Sequence, residues 1–230
     1  MPASEASWLS HLSQVLYYLA HISVLGPLLV GLWRWHVLPK MFQPVVWCCT
    51  MWAVLIPFAE YAAYAWHYNV AFWHVMRVLE GLLLGYAYYL ALRAPALRQA
   101  LRWLAPAFVV LALADSLVLS GWWKLNIYTI AVECTGLIAL ALLYFEQVLH
   151  ELRNMDLRQD PMFVLSVGVL VYFAGTVTLF VLQRDVQDLQ QLDLMLLINS
   201  VMSLLLSYTV GRALWLAGRA SNPPLAAKSF

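Results

Sequence analysis

Charge is what this sequence most lacks. Only 11% of its 230 residues are Asp, Glu, Lys or Arg, against 63% hydrophobic, and the mean hydropathy is +0.75. A soluble domain of this size needs more polar surface than that, so the chain reads as an integral membrane protein whose first partner is the lipid bilayer. The formal net charge of +1 carries no basic excess for nucleic acid, and no nucleic-acid partner is expected. Cysteine is equally sparse. Cys48, Cys49 and Cys134 sit inside apolar runs, which excludes a disulfide framework and reads as packing thiols.

The missing motifs exclude several chemistries. No lysine lies in the last apolar segment, which argues against a retinal Schiff base. No His-x-x-x-His or His-Glu-x-x-His pair occurs, which weakens an intramembrane zinc hydrolase. The Glu-x-x-His signature of di-iron bundles is missing, as are a phosphate-binding Walker loop and a dinucleotide fingerprint. No metal ligands or catalytic residues are therefore assigned, and the cofactor is unknown. Single histidines at 11, 21, 67 and 74 keep a heme only as an alternative.

What the chain has in abundance is apolar runs of bilayer-spanning length, edged by many of its 11 Trp and 12 Tyr. The expected fold is all-α: a seven-transmembrane-helix bundle forming one domain over 1–220. Its helices are expected near 10–33, 45–66, 70–92, 103–120, 127–149, 161–183 and 192–216, followed by a flexible cytoplasmic tail over 221–230. Pro27 is expected to bend the first helix, and Pro57 to make a similar break in the second. Arg93 to Arg102 reads as a basic linker, Glu151 to Asp160 as the most polar linker, and Arg184 to Gln191 as a polar turn. The N-terminus has Glu5 where a secretory signal would be basic, so the first run reads as a retained helix.

Positive charge sets the expected orientation. Arg34, Lys40, Arg93, Arg98, Arg102, Arg153, Arg158, Arg212, Arg219 and Lys228 fall on one side of these spans, and Lys124 and Arg184 on the other. The first side is expected to be cytoplasmic, which places the C-terminus inside and the N-terminus outside.

The intramembrane ionisable groups then gather in one layer. His74, Arg77 and Glu80 on the third helix, Glu60 on the second, Asp115 on the fourth and Glu133 on the fifth all fall in the outer half, with Asn199 of the seventh near the centre. Charge at such depth is expensive and asks for a function or a partner. On a helical wheel His74, Arg77, Gly81, Gly85 and Tyr88 share a face with Glu80 at its edge, and Gly81 and Gly85 make a small-xxx-small pattern for close helix approach. Asn126, Thr129 and Glu133 form a stripe on the fifth helix, Gly168, Tyr172, Gly175 and Thr176 one on the sixth, and Asn199, Ser203 and Ser207 one on the seventh. Together they predict an outward-opening polar pocket, with Glu60, His74, Arg77, Glu80, Asp115, Asn126, Glu133, Tyr172 and Asn199 as candidate ligand-binding residues. Four acids face one Arg and one His, so some carboxyls hold protons or a cation, metal or basic ligand completes the balance.

His74-x5-Glu80, Asn126-x6-Glu133 leading to Tyr144-Phe145, and Pro161-x-Phe163-x4-Gly168-x3-Tyr172-Phe173-x-Gly175 together resemble the pattern of an uncharacterised family of bacterial seven-span membrane proteins. The resemblance covers the third to sixth helices best and implies mostly fold. It also implies that His74, Glu80, Asn126 and Glu133 belong to one site, and that the membrane is the bacterial cytoplasmic one.

Three functions fit this reading. The first is a seven-helix sensor or ligand-binding module for a small polar or lipid-like molecule, signalling through a separate cytoplasmic or membrane partner. The second is a membrane-embedded enzyme on a lipid or isoprenoid, with Glu80 or Glu133 as base and His74 as acid or metal ligand. The third is a structural subunit of a membrane complex, its polar layer fixing helix register.

Overall fold

The computed structural model describes residues 3–150, 156–182 and 189–220, with side chains over 8–150, 156–179 and 191–219. The expected tail over 221–230, most of the Arg184–Gln191 turn and the first half of the Glu151–Asp160 linker lie outside the described residues. Helices and short turns account for all the regular structure among the described residues. Seven stretches of helix are long and apolar enough to cross a bilayer.

The first stretch is two helices, α1 (Ala3–Ser23) and α2 (Leu25–Trp33). They part at Val24 because Pro27 has no N–H to bond the Ser23 carbonyl and its ring crowds that oxygen, while Gly26 beside it adds little rigidity. The expected bend is therefore a break one turn before the proline. After two 3-10 turns comes α3 (Gln43–Trp66), which runs unbroken through Pro57. The break expected at Pro57 does not occur, and the proline lies on an exposed face of the helix. His67 closes α3 in the left-handed conformation, with φ 51°, and α4 (Val70–Ala91) returns through the bundle.

The fourth span differs most from expectation. Residues 93–102 are not a linker: α5 (Pro95–Ala114) starts at Pro95, with only a short extended step before it. Proline ends one helix and opens the next, because its missing N–H costs nothing at the first helical position and its φ already suits a helix. At its far end α5 widens into a π-helical segment, Asp115–Leu119. The remaining helices are α6 (Ile127–His150), α7 (Pro161–Leu182) and α8 (Leu189–Ala220).

Helix packing draws six spans into a ring: α2 on α3, α3 on α4, α4 on α6, α6 on α7, α7 on α8, and α8 back on α1 and α2. The remaining span, α5, lies outside that ring against α4 and α6, and Ala112 is its one buried residue. The α7–α8 seam is close because α7 presents glycine there. A Cβ at Gly168 would collide with the Thr209 side chain, and one at Gly175 would sit 3.2 Å from Met202. The expected small-xxx-small contact on α4 is half realised. A Cβ at Gly81 would lie 2.9 Å from the Phe108 ring of α5, whereas nothing approaches within 4 Å of Gly85.

The apolar core is built on Phe42, Val46, Leu84, Leu165, Phe173 and Leu214 and reaches Met76, Ile130 and Cys134 beside the polar residues of α4 and α6. The basic end adjoins it: Arg34 donates 3.1 Å to the Trp215 carbonyl and lies over the Trp215 ring, and Arg98 donates 2.6 Å to the Leu92 carbonyl. Large apolar side chains such as Leu19, Leu29, Phe58, Val110 and Leu142 point outward. An outside this apolar has lipid as its matching solvent.

Candidate functional site

Away from the basic end, the nine candidate residues divide among five places.

The first place is an ion cluster between α4, α6 and α7. Arg77 Nη1 donates to Glu80 Oε2 at 3.1 Å, one helical turn along α4, and lies 4.0 Å from Glu133 Oε2 on α6. The Tyr172 hydroxyl of α7 lies beside the same guanidinium. Both carboxylates are buried, with Glu80 and Glu133 each 3% exposed, whereas Arg77 keeps 18% of its side-chain surface accessible. One cation therefore serves two acids, and it does not satisfy them. Glu80 Oε1 and both carboxylate oxygens of Glu133 have no hydrogen-bond partner. A buried carboxylate in that condition is costly, because neither water nor protein replaces its solvation. Gly81 makes room for the arrangement. A Cβ there would meet Phe108 on one side and lie 3.5 Å from Glu133 Cγ on the other, so the Phe108 ring walls the cluster on the α5 side.

The second place is a latch at the end opposite the basic one. Asp115, fully buried in the π segment, accepts from Ser120 Oγ at 2.6 Å and from the backbone N and Oγ1 of Thr129, each at 2.8 Å. Thr129 N belongs to the first turn of α6, where a backbone N–H has no partner within the helix. His74 is pinned beside it, with Nδ1 2.7 Å from Ser116 Oγ and Nε2 2.9 Å from the Lys124 carbonyl. A carbonyl only accepts, so Nε2 carries the hydrogen, and in the neutral ring Nδ1 accepts from the serine. Gly121, at φ 77°, turns the chain out of the π segment. Trp122 then stacks on His74, and its carbonyl accepts from Tyr68. His74 and Asp115 are thus bonded to this loop, and neither reaches the Arg77 cluster through a hydrogen bond among the described residues.

Glu60 occupies a third place, bonded to Tyr17 Oη across α1 and α3 and half-buried. Asn199 occupies the fourth, half-buried on α8, where its carbonyl accepts from Ser203. Asn126 is the remaining candidate. It is fully buried at the head of α6, and neither atom of its amide has a partner. It shares a helix face with Glu133, about 10 Å further along. Tyr172 is joined to the cluster, while its stripe neighbours Gly168 and Gly175 serve the α8 seam.

Every buried side-chain nitrogen or oxygen left without a partner belongs to Glu80, Asn126 or Glu133, among the described residues. Ser116, Ser120, Phe108 and Tyr17 are the participants that sequence reasoning missed. A signal existed for the first, since Asp115-Ser116 is a polar pair in an apolar run. None existed for Phe108, whose role depends on α5 lying outside the ring. No group of three or more His, Cys, Asp or Glu side chains converges as a metal-holding set among the described residues. No protein-family model, curated protein or solved structure matches the chain.

Proposed function

We infer that this chain is an integral membrane protein of the bacterial cytoplasmic membrane, N-terminus outside, working as a seven-helix ligand-binding or sensor module. The ligand site is Arg77, Glu80, Glu133 and Tyr172, and output passes to a separate membrane or cytoplasmic partner. One observation carries the reading: the unpartnered buried polar atoms concentrate on Glu80, Glu133 and Asn126 rather than being scattered. A native fold satisfies nearly all such atoms, and a bound water, ion or ligand is one way in which the exceptions are met. The orientation rests on the arginines gathered at one end, and the choice of membrane rests on the family resemblance.

The carboxylate oxygens are too tightly enclosed to admit a ligand beside them as packed here. Binding therefore involves a shift of the Phe108 wall, and α5, outside the ring, is the helix best placed to give way. The enzyme reading draws less support, since both nitrogens of its proposed acid His74 are engaged by the latch. A register role fits the latch itself, where Asp115 accepts three bonds.

The test is native mass spectrometry of the protein purified in mild detergent, comparing wild type with Glu80→Gln and Glu133→Gln. A co-purifying small molecule or lipid on the wild type, lost from both variants, is the expected result. If nothing co-purifies and only thermal stability changes, the polar cluster is a packing device and the ligand reading fails.

A further inference from the structure

A second polar feature lies at the opposite end of the bundle, where α5 begins. Pro95, Arg98, Gln99, Arg102 and Trp103 line an open groove there. Its two arginines are held in place by neighbours that carry no charge. Arg98 donates from Nε to the Leu92 carbonyl at 2.6 Å and from Nη2 to the Leu90 carbonyl at 3.4 Å. Arg102 donates from Nε and Nη2 to the Tyr89 hydroxyl at 2.9 and 2.7 Å. A guanidinium has five N–H donors in a planar fork, so each arginine is splinted on one edge and keeps unused donors on the other. Among the described residues no carboxylate pairs with either one. The groove therefore holds two uncompensated positive charges.

The helix adds to that field. Ala94 makes no side-chain cap on α5, so the first-turn N–H groups of Ala96 and Leu97 point out of the helix start unbonded by it, at the positive end of its dipole. Immediately past the polar groove the surface turns apolar, with Trp103 73% and Leu104 59% exposed. An anion-binding mouth that continues into an exposed aromatic and aliphatic wall is matched to an amphiphile with an anionic head.

We propose that the groove of Arg98, Gln99 and Arg102 binds the phosphate of an anionic membrane phospholipid, whose acyl chains run along Trp103 and Leu104. The arginine forks take the phosphate oxygens, which suits their geometry better than it would suit lysine. The inference rests on the chain lying in a bilayer with this end at an interface, and it is independent of any ligand at Arg77.

The test uses the full chain, delipidated in mild detergent and titrated with dioleoylphosphatidylglycerol, dioleoylphosphatidylcholine or inorganic phosphate while lipid adducts are read by native mass spectrometry. Phosphatidylglycerol is expected to bind at least about 10-fold more tightly than phosphatidylcholine, with inorganic phosphate failing to displace it. One basic residue near a membrane surface contributes about 5-fold, so Arg102→Gln is expected to weaken phosphatidylglycerol about 5-fold and the double change Arg98→Gln/Arg102→Gln about 25-fold. Arg102→Gln is the safer variant, because its partner Tyr89 stays satisfied by water, whereas Arg98 also secures the end of α4. Lys40→Gln, which removes a charge from the same end outside the groove, is expected to leave binding unchanged. Equal binding of the two lipids, or a preference that survives Arg102→Gln, overturns the proposal. Inorganic phosphate that binds and displaces the lipid makes this a free-anion site and overturns the lipid assignment. Failure of the Arg77 reading would leave these outcomes untouched.

Discussion

Replacing Asp115 with alanine tests whether the predicted polar layer is one site or two. The carboxylate accepts three bonds, from Ser120 Oγ, Thr129 N and Thr129 Oγ1, and is fully buried. Polar contacts between helices in a membrane average about 0.6 kcal/mol and reach about 1.7. Three of them put the loss at about 2–5 kcal/mol, at the upper end because Thr129 N keeps no other acceptor in the first turn of α6. For a chain of this length, 1 kcal/mol moves the thermal midpoint by roughly 2–4 °C, so a fall of about 4–20 °C is expected. Thermal unfolding in mild detergent reads it, and the Asp115→Ala/Thr129→Val double variant should lose much less than the sum of the singles. Ligand retention by Asp115→Ala at low temperature should match wild type, since no hydrogen bond ties Asp115 to Arg77. A midpoint within about 2 °C of wild type, or loss of ligand from a still-folded Asp115→Ala, would refute the division into latch and ion cluster.

Arg77→Gln leaves two buried carboxylates without their cation and should destabilise the bundle by about 3–5 kcal/mol. Adding Glu133→Gln removes one of those charges and should recover part of the loss, measured by the same thermal unfolding. Gly168→Ala drives a methyl into the Thr209 hydroxyl and should cost about 1–3 kcal/mol, with Thr209→Ala, which removes that oxygen, relieving part of it. The same change at Gly85, where nothing lies within 4 Å, should be close to neutral. Tyr17→Phe removes a half-buried bond to Glu60 and should shift stability by no more than about 1 kcal/mol; a larger effect would mean that Glu60 belongs to a more extensive network.

The spans were legible because a bilayer demands runs of a given length, and composition alone carries that signal. The charged residues of α4 were legible as an inward face for the same kind of reason, since a period of 3.6 fixes which of them stand together. Proline was harder. Pro95 stops α4 and starts α5, Pro27 breaks its helix and Pro57 does not, and the difference lies in neighbouring residues and in which face the ring occupies. Partner choice was harder still. Depth placed His74, Arg77, Asp115 and Glu133 in one layer, but a layer has several helix interfaces. The five-residue π segment and the turn at Gly121 decide that His74 and Asp115 meet loop 120–126, while Arg77 meets α6 and α7. Nothing in the spacing of Asp115 to Leu119 announces a π turn, and the peripheral seat of α5 follows from the other six spans rather than from its own residues.

The seam between α1 and α8 also has a consequence in time. α1 packs chiefly on α8, and the chain between Ser23 and Leu189 has to be synthesised before that partner exists. At roughly 5–20 residues per second this takes on the order of ten to thirty seconds. During that interval the inward side of α1, with Ser13 and Ser23 awaiting Asp193 and Ser207, lacks the helix that covers it. Of the described helices, α1 thus waits longest for its main partner, and the polar residues on its inner side are the ones left uncovered while the rest is made.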